Sequence, residues 1–214
     1  RLGRADEILP RLEALLEKQE NHPALRQTLA DQYREAGRID EAASHYEELR
    51  KRSPTLAGFR GLAEVYRRGG KAEPLLQVLG ELADKTGALD ALGPEGKAIA
   101  EDNELLGKLV DLARKRKQAL EANLDHGSAL TAAILALESG RFDAAGEFFE
   151  AAVAARPERA AELVILWGMG LTLSDKPGMA ADVFRRAIGR NEHPRINPLF
   201  HFYLAGALEL DGRT

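Results

Sequence analysis

The sequence predicts an all-α fold, and three observations carry that expectation. Turn-forming residues recur at a nearly constant interval, the residues around them follow helical periodicity, and the composition favours helices. The turn positions are Gly3, Gly37, Gly70, Gly140, Asp175 and Gly212, separated by 34, 33, 70, 35 and 37 residues. The 70 is two periods of 35, so one further unit is expected between Gly70 and Gly140. Before each turn the apolar residues fall at i, i+1 and i+4, and after it at i, i+4 and i+7, which puts one apolar stripe on each helix. Aromatic residues make up only 6% of the chain while Ala, Leu and Glu recur throughout, a bias toward helices over strands.

The units follow one another along the chain. It starts in the second helix of one unit. The first complete copy is Ala30, Tyr33, Gly37, Ala42, Tyr46, Leu49 and Pro54, matched in order and spacing by Ala133, Ala136, Gly140, Ala145, Phe149, Ala152 and Pro157. Between these copies, Leu62, Ala63, Tyr66 and Gly70 repeat the first half, with Leu75, Leu79 and Leu82 in place of the small and aromatic residues. Trp167, Gly168 and Leu171, then Ala180, Phe184 and Ala187, repeat the pattern around Asp175, and Leu204, Ala205, Leu208 and Gly212 begin a last copy. Residues 86–127 carry no such motif and are placed as a remodelled unit by period alone. There Gly87, Gly93, Pro94 and Gly96 argue against a regular helix before about Ala98, whereas Asn103 to Asn123 reads as one long helix. The expected organisation is 1–85, a half repeat plus two repeats; 86–127, the remodelled unit; and 128–214, two repeats plus the first helix of another.

Each residue type in the unit has a physical reason. The glycine takes the positive φ of a helix C-cap and sharp turn, and Pro54 and Pro157 end the second helix. Alanine lets paired helices approach closely, and the aromatic four residues later fills the space between them. One pair cannot cover its own apolar stripe, so such units stack in arrays.

Composition excludes several function classes. The chain has 214 residues, enough for one or two compact domains, with 30% charged residues and a formal net charge of -4. Its longest nearly uncharged apolar stretch, Leu163 to Leu173, is far shorter than the roughly 20 residues of a membrane-spanning helix, so a soluble protein with no membrane partner is expected. Nothing in the charge balance draws it to nucleic acid. The basic run Arg114 to Lys117 lies near a helix end, where it complements the macrodipole, and no aromatic residue is interleaved with it. There is no cysteine, which removes disulfides, thiolate zinc sites and cysteine nucleophiles.

The five histidines, His22, His45, His126, His193 and His201, include no i, i+4 pair, so no metal is indicated. His193 and His201 flank the Pro194 to Pro198 linker. Gly168 and Gly170 resemble a nucleotide loop only superficially, since they sit inside a helix, and close helix packing accounts better for Gly168. No nucleophile, base and orienting group occur together, so no enzyme activity and no cofactor are expected. Arg1 and Thr214 read as cuts inside a longer polypeptide. A cytoplasmic location is favoured, although an export signal lost with the missing ends would leave no trace.

The repeated residues resemble the tetratricopeptide repeat family, well over 23–54, nearly as well over 126–157, recognisably over 161–192 and in the first helix only over 56–85. The resemblance implies a right-handed superhelix of stacked antiparallel helix pairs whose concave groove, lined by first helices, binds a peptide or partner protein. In that register the groove positions are Gln27 and Asp31, Arg60 and Glu64, Leu130 and Ile134, Ile165 and Met169, then Phe202 and Gly206, with Arg34 and Arg67 one turn further on. The N-terminal half of the groove is charged and the C-terminal half apolar. The acidic pair Asp31 and Glu64 argues against the carboxylate clamp that some members use for chaperone tails.

Two fates are open to the apolar half. It is an exposed partner site, or it is covered, either by the Gly-rich segment around Ala88 to Ile99 or by parts of the polypeptide beyond the cuts. Ile134→Asp with Met169→Glu separates them: unchanged melting marks an open groove, and a large loss of stability marks core. The function implied is a non-catalytic protein-interaction scaffold. The alternatives are a recruiting or regulatory arm of a larger enzyme, and self-association through apolar faces at the ends, notably around Leu204 and Leu208.

Overall fold

The computed structural model describes residues 2–86, 92–118, 124–190 and 195–212. Among the described residues there are twelve α-helices, one 3-10 turn and no β-strand, and no helix is long and apolar enough to cross a membrane. The chain forms two compact units, Arg1–Leu82 and Ala83–Thr214.

The first unit contains α1 (Leu2–Lys18), α2 (Pro23–Glu35), α3 (Ile39–Arg52), α4 (Leu56–Arg68) and most of α5 (Ala72–Thr86). Local chemistry sets the helix starts. The His22 ring accepts the Leu25 N–H at 3.2 Å with Pro23 in the first turn, and Thr55 Oγ1 accepts the Gly58 N–H at 3.0 Å, each satisfying a donor that a helix N-terminus leaves free. Helices α2 and α3 form an antiparallel pair around Leu29, Ala30, Tyr33, Ala42, Tyr46 and Leu49, all buried. The pair then packs on α4. There the Tyr46 ring occupies the space a Cβ on Gly61 would need, so the bulky residue of one pair requires a glycine on the next.

The second unit contains α6 (Gly93–Glu101), α7 (Asn103–Gln118), α8 (His126–Glu138), α9 (Phe142–Ala155), the 3-10 turn Pro157–Arg159, α10 (Ala160–Leu173), α11 (Pro177–Arg190) and α12 (Asn197–Leu210). Antiparallel pairs α8 with α9 and α10 with α11 are each followed by a packed neighbour, α9 on α10 and α11 on α12. The expectation of no regular helix before about Ala98 is corrected, because α6 begins at Gly93. Pro94 stands in the first turn, where its missing N–H costs nothing, and a Cβ on Gly96 would lie 2.6 Å from Leu92 Cβ. Punctuation that suggests a loop here starts a helix. Helix α7 runs from Asn103 to Gln118; residues 119–123 of the expected long helix lie outside the described residues.

One turn geometry recurs at the predicted period. Gly37, Gly70, Gly140 and Gly212 have φ of 76, 64, 73 and 70°, and Asp175 has φ of 58°. At Gly37 the glycine N–H donates to Arg34 O and the Arg38 N–H to Tyr33 O, the double bond pattern of a Schellman cap. The same two bonds recur at Gly70 and Lys71, at Gly140 and Arg141, and at Asp175 and Lys176. Gly3 is a correction: it lies inside α1, not at a turn, since a glycine near a helix start is tolerated at modest cost.

Asp175 does at φ 58° what glycine does elsewhere, and the left-handed conformation strains any residue with a Cβ. Asp175→Gly is therefore expected to raise stability by about 0.5 kcal/mol, and Gly140→Ala to lower it by about 1–2 kcal/mol. Urea midpoints of the two variants measure this. Loss of stability in both would show that Asp175 is held by its side chain and not merely tolerated.

Candidate partner-binding surface

The charged residues of the expected groove come together in the first unit and are largely satisfied by one another. Asp31 accepts from Gln27 Nε2 at 3.3 Å and from the Tyr46 hydroxyl at 2.5 Å, and pairs with Arg34 at 3.4 Å. Arg34 reaches across from α2 to Glu64 on α4 at 3.1 Å, and Glu64 also pairs with Arg68 at 2.5 Å. Arg60 is exposed and Arg67 partly buried. A partner at this surface meets a network already closed, so its charges gain little by exchanging one carboxylate for another.

The network also has a structural use. Three tyrosines donate in succession to carboxylates of the preceding helix: Tyr33 on α2 to Glu13, Tyr46 on α3 to Asp31, and Tyr66 on α4 to Glu47, the last at 2.5 Å. Burial, reinforced by the bond to Glu13, pushes the Tyr33 phenol up to about 12. Tyr46 and Tyr66 are pushed upward from the ordinary phenol value by the same two causes, with Asp31 and Glu47 as acceptors. Asp31 is thus part of the inter-helix scaffold as well as a surface group.

The middle positions are interior. Leu130 and Ile134 are fully buried, and every residue of α8 from His126 to Leu137 is buried, as expected for a helix that is apolar all round. Helices α6, α7 and α9 all pack on α8, and Ile99 of α6 is itself fully buried. Of the two fates open to these side chains, burial describes Leu130 and Ile134.

The C-terminal positions remain accessible. Ile165 and Met169 on α10 are partly buried, and Phe202 on α12 is 71% exposed. Met169, Phe202 and Gly206 line an open cleft of about 450 Å³ between α10 and α12, together with Leu173, Tyr203 and Leu210. Leu173 and Leu210 are 81% and 67% exposed. Sequence reasoning missed both because they follow the groove positions at the last turn of each helix; an apolar residue directly before a turn was the available signal. Leu204 and Leu208, expected at an exposed end, are partly buried, and the exposed large apolar residues of α12 are Leu199, Phe202 and Leu210.

The remaining candidates take ordinary structural roles. Lys115, Arg116 and Lys117 stand in the last turn of α7, and Arg114 and Lys117 each pair with Glu147 at 3.3 Å. The Phe184 ring lies where a Cβ on Gly168 would fall, and Leu137 does the same at Gly170, so both glycines serve close packing. His201 is exposed, and His193 lies outside the described residues. Among the described residues no cluster of His, Asp and Glu could hold a metal ion.

No protein-family model and no curated protein matches the chain. Among solved structures it is similar to a tetratricopeptide repeat protein from Parabacteroides merdae, at 16% identity over 96% of this chain and 93% of that one, with a TM-score of 0.42. It is also similar to yeast Tom70, at 15% identity over 97% of this chain, with a TM-score of 0.39; the match spans 44% of the Tom70 chain. The chain is an all-helical repeat protein that resembles these structures along nearly its whole length at low sequence identity.

Proposed function

We propose that this chain is a tetratricopeptide-type scaffold that binds a partner protein or peptide and performs no chemistry of its own. The observation that carries the reading is the cleft between α10 and α12, where Leu173, Phe202 and Leu210 leave an apolar surface open to water. Exposed apolar side chains clustered around a concavity mark a partner site, and the apolar face of an amphipathic helix is the ligand that such a groove fits. A preformed cleft on packed helices loses little entropy on binding, so affinity comes from a few buried anchors. The recurring turn bonds and helix pairs support the scaffold part of the reading.

Selection of displayed 16-residue peptides against the chain, followed by titration of the winners, tests the proposal. Amphipathic sequences with apolar residues at i, i+3, i+4 and i+7 are expected. Leu173→Glu with Phe202→Glu should abolish their binding while melting stays nearly unchanged, because both side chains are mostly in solvent. Winners without that pattern, or winners that bind the double variant equally well, would sink the reading.

A further inference from the structure

The C-terminal turns of three helices meet at one end of the α10–α12 cleft. Leu137, in the last turn of α8, takes the space beside Gly170 of α10, and Thr172 and Leu173 of α10 line the cleft together with Glu209 and Leu210 of α12. A helix C-terminus carries partial negative charge on its free carbonyls, which a basic side chain in the last turn offsets. Helices α2 and α4 of the first unit follow that rule, with Arg34 and with Arg67 and Arg68. Helices α8, α10 and α12 have no basic residue in the last turn.

Carboxylates add to that charge. Glu138 ends α8 and Glu209 stands in the last turn of α12; both are exposed, and neither makes an ion pair among the described residues. Protein around Glu138 removes enough water to push its carboxyl above the usual carboxylate range, with no cation to offset the loss. The cations that follow the turns of α8 and α10 are placed elsewhere. Arg141 lines a different cleft, with Val110 and Met179, and Lys176 lies over the Phe142 ring at 5.6 Å. Among the described residues no Lys or Arg lines the α10–α12 cleft.

We propose that the occupant of this cleft is a basic amphipathic helix. The inference rests on the reading of the cleft as a partner site and adds the charge of the partner. The apolar face of that helix seats against Leu173, Phe202 and Leu210. Lysine or arginine side chains flanking the face reach the end of the cleft, where Glu138, Glu209 and the C-terminal carbonyls await a cation. A neutral helix fills the apolar volume and leaves the charge unanswered, and an acidic one meets like charge. An anionic lipid surface or a nucleic acid is turned away for the same reason.

Three labelled 16-residue peptides test this by fluorescence anisotropy: Leu-Lys-Lys-Leu-Leu-Lys-Lys-Leu written twice, and the same sequence with Gln or with Glu in place of Lys. The Lys peptide should bind about tenfold tighter than the Gln peptide at low salt, and the ratio should shrink as salt is raised. Glu138→Lys with Glu209→Lys should reverse the preference to the Glu peptide, and melting should not fall, because cations at helix C-termini are favourable. The same charge change at Glu7 and Glu17, exposed on α1 in the first unit, should leave the preference as it is, which separates this end of the cleft from the net charge of the chain. Equal affinity for the Lys and Gln peptides, or an equal effect of the α1 variant, would overturn the proposal while the cleft stands as a partner site. If no peptide binds, or if Leu173→Ser with Phe202→Ser changes nothing, both readings fall.

Discussion

Ile134→Asp is expected to lower the unfolding free energy by about 3–5 kcal/mol, the cost of an uncompensated buried charge. Ile134 has no exposed surface, and its helix α8 is buried on all faces beneath α6, α7 and α9. The new carboxylate would have to take a proton, recruit water, or force α6 away, and each route costs free energy. Two comparisons separate burial from chemistry. Ile134→Val should cost about 0.5–1.5 kcal/mol, as expected for one lost methyl group. Phe202→Asp, at a site that is 71% exposed, should stay within about 0.5 kcal/mol of the parent. Urea unfolding followed by far-ultraviolet circular dichroism measures all three. If Ile134→Asp unfolds at the parent midpoint, Ile134 is not core, and the middle of the expected groove is open after all.

Phe184→Ala should cost a similar amount, about 3–5 kcal/mol. The ring is 1% exposed and is held from two sides. Toward α10 it rests where Gly168 has no Cβ. Toward α12 it stacks on Tyr203 at 5.6 Å and meets Phe200 at 6.5 Å. One side chain therefore joins three helices, and its loss leaves a cavity that none of them can fill alone. Gly168→Ala attacks the same contact from the other side by overpacking, at about 1–3 kcal/mol. The double variant is the sharper test. With the ring gone the new methyl group has room, so the combined loss should be smaller than the sum of the two single losses. Simple additivity would mean that Phe184 and Gly168 do not share one space.

How much was legible depended on how local the cause was. The repeated residues on either side and the period place Asp175 at a turn, and it adopts the left-handed conformation of the glycines it replaces, because the turn bonds lie within a few residues of chain. The groove was less legible. Its register named Met169 and Phe202, which do line a cleft. The same register named Leu130 and Ile134, which are buried in a helix packed against α6, α7 and α9. No spacing in residues 126–138 could report that, since the helices packed on α8 lie elsewhere in the chain. Asp31 and Glu64 stand at groove positions in the sequence, and their ties to Tyr46 and Arg34 join residues many positions apart.

By itself, then, the sequence determined that this chain is helical, where its hairpins turn, and which stripe of each helix is apolar. These follow from periodicity, positive-φ glycines and the size of single side chains, all properties of neighbouring residues. Only the tertiary structure decided which apolar stripes stay open to water. That outcome depends on which distant helix lies against each stripe, as α6 does on α8, and on what is left uncovered, as between α10 and α12.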